Sequence, residues 1–568
     1  MFFPLRWLLT RAAKFKAQRM RDRFKRQIQA PREIQRARLF DQLRREAPTA
    51  FGRDHGFKEI RTLEAFRRRI PISRYEYFQP YIDRVRHGET EALFHRQRVR
   101  MFAMTSGTTA ARKYIPVTDR FLEDYRRGWN VWGIHIYEST PKLWFKGMLQ
   151  LVGDWQEELA PSGVPCGNIS GLTSHVQMRI IRKLYVLPPE SGKIKDVRTK
   201  YYLAWRLGLQ RDVGLIFSAN PSTVVNLAKF LDEERETLIR DIHDGTVSAK
   251  YPLPPLVSEV SRKKLAPNPV RAKELDALIA EHGKLLPKHV WPNLGMVGNW
   301  TGGSVGGYMR HYPNYFSEET HIRDLGLIAS EGRMTIPIEN GTPAGILDVS
   351  AAFFEFVPVD EIDSPNPIAL EAHELEEGRD YYILLTTSSG LYRYNIFDVV
   401  RCMGFRDRTP MLAFLNKGSN FSNMTGEKLS EFQVVKAAED AARRADVPLG
   451  IFSAAPCWDE ETPYYSIFVE ARDFADEDEM QTFLAEFESS LRKWNDEYAA
   501  KRDSHRLQPA RLKLLPEGFW RNWDRERLVK TNGAPEQYKH PCLIPNVEFL
   551  KSVPVLGERR LLAPVGAV

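Results

Sequence analysis

Short apolar runs bounded by turn-forming residues alternate with segments of helical period over most of this chain. Gly214-Leu215-Ile216-Phe217-Ser218 and Tyr381-Tyr382-Ile383-Leu384-Leu385 read as strands, and Ser222 to Leu231 reads as a helix. This alternation, sustained from about residue 97 to 415, predicts an α/β domain whose sheets are covered by helices. Ahead of it, residues 33–70 read as helices with Leu39, Leu43 and Phe51 on their apolar faces and a connecting turn from Phe51-Gly52-Arg53 to Phe57. Ile70-Pro71-Ile72 then marks an extended entry into the next unit.

A second, smaller unit is expected from Asn416 onward. The polar stretch Lys417-Gly418-Ser419-Asn420-Phe421-Ser422-Asn423 breaks the pattern and leads into a helix over Glu427 to Arg444. Strands follow around Leu449 to Ala454, Tyr464 to Glu470 and Arg511 to Leu515, with a helix from Glu477 to Tyr498. That mixture predicts an α+β module of about 140 residues. The expected organisation is a basic helical segment over 1–40, a large domain over 41–415 and a small mobile domain over 416–568.

Charge sharpens this division. Residues 1–40 hold twelve Lys or Arg against only Asp22 and Glu33, whereas all 568 residues sum to +9, so the remainder is close to neutral. A nucleic-acid-binding body, with basic patches on its folded domains, is disfavoured. The basic opening also carries Phe2, Phe3, Trp7 and Phe15, a mixture suited equally to weak contact with an anionic membrane surface through residues 1–30 or to packing on its own domain. The four cysteines, Cys166, Cys402, Cys457 and Cys542, show neither disulfide nor zinc spacing. That cysteine usage suits a reducing cytoplasm, and no apolar run approaches the length needed to span a bilayer.

The chemistry begins at Thr105-Ser106-Gly107-Thr108-Thr109-Ala110-Ala111-Arg112-Lys113. Its hydroxyls, backbone N–H groups and terminal cations suit an anionic phosphate, although the spacing is not that of the P-loop. A polar surface turn is the plain alternative. Ser330-Glu331 and Phe354-Glu355-Phe356 supply carboxylates of the kind that hold Mg²⁺, which uses only one or two from the protein. Each is also the sort of residue commonly spent on an ion pair. Asp398, in Tyr392-Arg393-Tyr394-Asn395-Ile396-Phe397-Asp398, suits ribose hydroxyls. Lys539, in Gln537-Tyr538-Lys539, is placed to neutralise an α-phosphate from a loop of the second unit. Gly302-Gly303-Ser304-Val305-Gly306 satisfies G-x-S-x-G, so a serine hydrolase using Ser304 is a competing reading, one that needs a strand before the serine and a helix after it.

Taken in order, the motifs at 105–113, 330–332, 354–358, 392–400 and 537–539 resemble those of the GH3 family of acyl acid amido synthetases, a branch of the adenylate-forming superfamily. The resemblance spans roughly residues 40–545. It implies a large N-terminal α/β domain of the adenylate-forming type and a small C-terminal domain. It further implies ATP and Mg²⁺ as cofactors, with a small carboxylic acid and an amine, usually an amino acid, as partners. It places Thr105, Ser106, Gly107, Thr108, Thr109, Lys113, Ser330, Glu331, Asp398 and Lys417 at the nucleotide, with Glu331 also on the metal. Lys113 and Lys539 are then catalytic, and Trp300, Gly303 and Ser304 stand at the substrate. The chain departs from the family pattern at Ala110 and Ala111, at Ile328, where an aromatic residue is usual, and at Asn395 and Phe397, where basic and glycine residues are usual. A non-catalytic or divergent acyl-acid or nucleotide binder at a membrane surface is the remaining alternative.

Overall fold

The computed structural model describes residues 3–105, 112–302, 309, 311–362, 364, 366–416, 421–531 and 540–561, and these divide into two compact units, the first ending at Leu415 and the second taking in Arg112 with the residues from Asn416 onward. Along the first unit, helix α1 (Phe3–Ile28) buries Phe24 and Ile28, one turn apart, against Val131, Trp132 and Ile136. The C-terminal half of the basic segment therefore packs on its own unit, which favours that reading of its sequence over a membrane surface. Among the described residues no helix is long and apolar enough to cross a membrane.

Helix α2 (Pro31–Glu46) starts with proline at its first position, where no hydrogen bond is lost, and runs straight through residue 40. It buries Leu39 and Leu43, while Gln35 stitches it to a distant segment. The Gln35 Nε2 donates to the carbonyls of Val349 at 2.7 Å and Ala352, and its Oε1 accepts from the Phe354 N–H at 2.8 Å. The segment read as a turn after Phe51 is in part helical, Ala50–Asp54, because Thr49 caps it by accepting from the Gly52 N–H.

Helix α3 (Tyr75–Arg86) precedes an antiparallel hairpin of β1 (Val99–Thr105) and β2 (Lys113–Thr118), in register with Thr105 opposite Lys113. The hydroxyl-rich segment thus joins two strands rather than a strand and a helix, which is the structural reason it departs from P-loop spacing. Thr118 caps helix α4 (Asp119–Ser139), whose residues Phe121, Tyr125, Trp129, Trp132 and Ile136 recur every three or four positions and make one aromatic face.

Strands β3 (Gly147–Gln150), β4 (Val213–Phe217), β5 (Met296–Gly298) and β6 (His321–Arg323) form a fully parallel sheet in that order. In open sheets of this kind, ligands lie outside the carboxyl ends of the strands. Next comes a tight hairpin, β7 (Ile328–Ala329) and β8 (Gly332–Arg333), whose two turn residues are Ser330 and Glu331. A six-stranded sheet then assembles β9 (Thr335–Ile336), β10 (Gly345–Leu347), β11 (Phe353–Pro358), β12 (Asp380–Thr387), β13 (Leu391–Arg406) and β14 (Thr409–Asn416) in the order β9-β10-β14-β13-β12-β11.

The long strand β13 does not pair evenly with β12. Leu384 pairs with Asn395 and Tyr382 with Val399, so Ile396, Phe397 and Asp398 stand opposite Ile383 alone. A second irregularity sets Tyr392 and Arg393 opposite Thr386. Phe397 has φ +63° and Arg393 φ +49°, both in the left-handed region that L side chains rarely enter.

In the second unit a capping box between Ser430 and Gln433 starts helix α5 (Glu431–Ala445) four residues later than the apolar pattern suggests. Glu427, expected inside that helix, is fully buried and accepts from the N–H groups of Met424 at 2.6 Å and Thr425 at 2.7 Å and from the Tyr465 hydroxyl. Strands β15 (Ser453–Asp459), β16 (Thr462–Glu470), β17 (Arg511–Leu515) and β18 (Gly557–Arg560) form a sheet in chain order, with β16 and β17 parallel. The long helix expected to Tyr498 breaks at Asn495, whose side chain caps a second helix by accepting from the Tyr498 N–H at 2.8 Å.

One buried charge locks the first unit. Glu355, 1% exposed on β11, accepts from Arg67 at 2.8 Å and from Arg393 at 2.9 Å, and Arg393 also donates to the Ile70 carbonyl at 2.8 Å. Glu355 is therefore an ion-pair partner, not a metal ligand. Glu355→Ala leaves the Arg393 guanidinium buried without its anion and is expected to destabilise the protein by about 3–5 kcal/mol. Urea unfolding followed by tryptophan fluorescence checks this, and a midpoint like that of the wild type contradicts it.

Candidate functional site

Lys113, half-buried at the start of β2, holds its Nζ 5.6 Å from the ring centre of Tyr75 at the start of α3. Tyr75 is fixed in turn, because its hydroxyl accepts from the Tyr114 N–H at 3.0 Å, and burial pushes its pKa up to about 12. Tyr75 also lies within electrostatic reach of Tyr394 on β13. Burial first, and then the neighbouring Glu331, raise the Tyr394 phenol well above its ordinary range, so it remains protonated and donates to Glu331 Oε1 at 3.5 Å. Lys113, Tyr75, Tyr394 and Glu331 thus converge from four separate elements.

Glu331 is 8% exposed, and among the described residues no Lys, Arg or His lies within ion-pair distance of it. A carboxylate so enclosed and so weakly satisfied is costly by itself and suits a cation supplied with the substrate. Among the described residues no group of three or more His, Cys, Asp or Glu could hold a metal. The donor set therefore fits Mg²⁺ carried on phosphate oxygens with Glu331 as one protein ligand, and does not fit a tightly held structural metal. Ser330, half-buried beside Glu331, shares the hairpin turn.

Asp398 is 4% exposed within the irregular section of β13. Its placement rests on neighbours that the family pattern marks as unusual. Asn395 Oδ1 accepts from the Phe397 N–H at 2.8 Å, closing a local turn, and the Asn395 N–H donates to the Ser73 carbonyl at 2.9 Å. The Arg74 guanidinium lies 4.6 Å above the Phe397 ring. A glycine would enter the left-handed region at Phe397 without strain; here a turn and a stacked cation hold a phenylalanine there instead.

Trp300 follows β5 at the carboxyl edge of the parallel sheet, and its Nε1 donates to the Gly326 carbonyl at 3.0 Å. Thr301 is latched there by Asp324, which accepts from its N–H at 2.6 Å and its hydroxyl at 2.7 Å. Burial raises the Asp324 pKa, and these hydrogen bonds partly offset the shift. Gly326, at φ +86°, could carry no side chain, since a Cβ would sit 2.3 Å from the Thr335 carbonyl oxygen. Trp129 of α4 completes an apolar wall with Trp132 at 5.3 Å and Phe217 at 6.3 Å between ring centres, and Ile328 packs against the same cluster.

Several expected site residues, Ser106, Gly107, Thr108, Thr109, Gly303, Ser304, Lys417 and Lys539, lie outside the described residues, as does the side chain of Thr105. The flanks of Ser304 nonetheless bear on the hydrolase reading. The strand before it ends at Gly298 rather than Trp300, and the next described α-helix, Tyr312–Tyr315, has only four residues. A nucleophile elbow needs the serine at a direct strand-to-helix junction, so this context does not favour one. Sequence reasoning did not single out Tyr75, Trp129, Asp324 or Arg333. Tyr394 stands in the motif at 392–400, but nothing in the pattern marked Asp324.

The chain is similar to known proteins along most of its length. Residues 20–321 match the GH3 family N-terminal domain, 345–417 the GH3 family central domain and 432–548 the GH3 family C-terminal domain. The indole-3-acetic acid-amido synthetase GH3.10 of Arabidopsis thaliana is 24% identical over 527 residues, covering 86% of this chain and 87% of the relative. The jasmonoyl-L-amino acid synthetase GH3.5 of Oryza sativa subsp. japonica is 25% identical over 517 residues, covering 85% and 87%. The solved AtGH3.15 acyl acid amido synthetase in complex with 2,4-DB shares the fold, with a TM-score of 0.65 at 21% identity over 95% of this chain and 97% of that one.

The backbone at Phe397 gives a direct test. Phe397→Gly is expected to stay within about 1 kcal/mol of the wild type, because relief of strain offsets the lost stacking. Phe397→Val, β-branched in the same conformation, should be less stable than the glycine variant by about 1–2 kcal/mol. Equal denaturation midpoints for the two variants would show that this position does not hold a left-handed backbone in solution.

Proposed function

The chain belongs to the GH3 family, and from that premise we propose that it is an ATP-dependent acyl acid amido synthetase acting in the cytoplasm on a small carboxylic acid and an amino acid. An oxygen of the acid attacks the α-phosphorus of ATP, giving an acyl-adenylate and releasing pyrophosphate. The amine nitrogen then attacks the acyl carbon, forming the amide and releasing AMP. The observation that carries this reading is the convergence of Lys113, Tyr75, Tyr394 and Glu331, which has no cation partner among the described residues, beside the hairpin that bears the hydroxyl-rich segment.

In this proposal Thr105, Ser106, Gly107, Thr108, Thr109 and Lys113 meet the phosphates, with Lys417 also assigned to the nucleotide. Asp398 accepts from the ribose hydroxyls. Glu331, oriented by the Tyr394 hydroxyl, is the protein ligand for Mg²⁺, which when bound screens the charge of the departing pyrophosphate. Lys539 neutralises charge that develops on the α-phosphoryl oxygens, where a fixed cation lowers the barrier because it interacts more strongly with the transition state than with bound ATP. Trp300, with Gly303 and Ser304 after it, borders the acid. The wall of Trp129, Trp132 and Phe217 favours an acid with an aromatic or alicyclic body.

Pyrophosphate release from Mg-ATP, measured across aromatic and aliphatic acids with and without amino acids, tests the proposal. Release should depend on the acid, rise with the amino acid and stop on chelation of the metal. Lys539→Ala and Glu331→Gln should each slow it by about 10²–10³ with the fold intact. Measurable ATP binding with no release from any acid contradicts the ligase and leaves the non-catalytic binder.

A further inference from the structure

We propose that Arg333 anchors a substrate carboxylate that the reaction does not consume, an inference that rests on the synthetase reading above. Arg333 lies on β8, two residues beyond Glu331, and is 2% exposed. Its Nε donates to the Thr335 carbonyl at 3.1 Å and its Nη2 to the Leu325 carbonyl at 2.6 Å, while the guanidinium lies 4.6 Å from the centre of the Trp129 ring. These contacts fix the side chain without a direct ion pair, and Asp348 and Asp324 act on it only through space. Among the described residues no carboxylate lies within ion-pair distance of Arg333, and its Nη1 is buried without a hydrogen-bond partner.

An arginine is a cation at neutral pH even when buried. A buried charged donor left unpaired is a standing cost, which a bound carboxylate relieves. The fold makes room for this side chain. Gly128 of α4 faces it, and a Cβ there would come 2.4 Å from Arg333 Cδ and 3.3 Å from Asp348 Oδ2, itself a second buried atom without a partner. Arg333 also lines a small recess of about 20 Å³ with Phe121, Asp124, Tyr125, Glu331, Thr387 and Ser388. That space is far below the ~300–1,000 Å³ of whole-ligand pockets and admits no more than the terminal carboxylate of a small substrate.

A carboxylate is the group this fork recognises best. The acid's own reacting carboxylate becomes the amide, so the one held at Arg333 must survive the reaction. Two sources share this chemistry: the α-carboxylate of the amino acid, and a second carboxylate on a dicarboxylic acid.

The test uses the full chain as wild type, Arg333→Met and Arg333→Lys, with two matched pairs of substrates: an amino acid against its carboxamide, and terephthalate against benzoate. Arg333→Met is expected to raise KM about 10- to 100-fold for the carboxylate-bearing member of one pair. It should leave that member's partner and the other pair within about twofold, with kcat little changed, and Arg333→Lys should fall between. Selective loss in the first pair assigns the amino acid; in the second it assigns a diacid. A uniform change across all four compounds, or no change, overturns the proposal and reduces Arg333 to a structural cation. If Arg333→Met fails to fold, the same comparison in Arg333→Lys decides between selective and uniform loss. Titration of the four compounds without ATP, read by tryptophan fluorescence, separates this inference from the activity. Carboxylate-selective binding that depends on Arg333 sustains it even where no pyrophosphate is released, and equal binding of both members of each pair overturns it even where turnover is brisk.

Discussion

Glu355 cannot stand alone at 1% exposure, and the two arginines that neutralise it set the conformation of the surrounding unit. Arg393 reaches it from a strand that has already broken register with its neighbour, adopting φ +49° while its N–H donates to the Thr386 hydroxyl at 3.0 Å. Arg67 reaches it from the short helix Leu63–Arg69, and Arg393 closes the link by donating to the carbonyls of Arg67 and Ile70. One buried carboxylate thus binds two sheet strands to a remote stretch of chain. A charge in this position penalises any other arrangement, because a slip in register would strand it without its cations.

The candidate site inherits its geometry from that constraint. Tyr394 follows Arg393 directly, and its hydroxyl reaches Glu331 on a different hairpin. Asn395, one residue on, is tied to Ser73, and Ser73 in turn donates to the Arg393 carbonyl at 3.2 Å. Phe397 and Asp398 occupy the excess of residues opposite Ile383. Six consecutive positions, Arg393 to Asp398, therefore combine a structural ion pair, a hydrogen bond to the candidate metal carboxylate and a buried aspartate. A regular strand would send alternate side chains to opposite faces; two irregularities allow the same strand to serve the core and the site.

Much of this was legible in the sequence where a local rule governs. The strand at Arg511–Leu515 coincides with the apolar run, and the helix beginning at Pro221 and the strand at Val213–Phe217 lie within a residue or two of their patterns. The misplacements have particular causes. Ser430 outcompetes Glu427 as a helix start because Glu427 is consumed by backbone N–H groups and Tyr465, and Asn495 interrupts an otherwise continuous apolar period by capping a new helix at Asp496. Among site residues, Glu331 and Asp398 stood in recognisable motifs. Asp324 and Arg333 did not, since their roles depend on carbonyls and hydroxyls brought near by tertiary structure, and no spacing along the chain encodes that. The same limit applied to Glu355, whose sequence context was equally suited to a metal until its two arginines were in view.

The departures from the family pattern bear on whether a divergent binder explains this chain better than an enzyme. Phe397 takes the conformation a glycine would take, and Asn395, the other departure beside it, supplies the acceptor that stabilises the turn. The two substitutions compensate one another: the strain of a left-handed phenylalanine is met by a local hydrogen bond and by the stacked Arg74. Ile328 contributes apolar surface to a cluster that already contains Trp129 and Trp300, so the wall it belongs to keeps its aromatic character. Mutual accommodation of this kind holds the turn that precedes Asp398 and keeps the wall around Trp129 apolar.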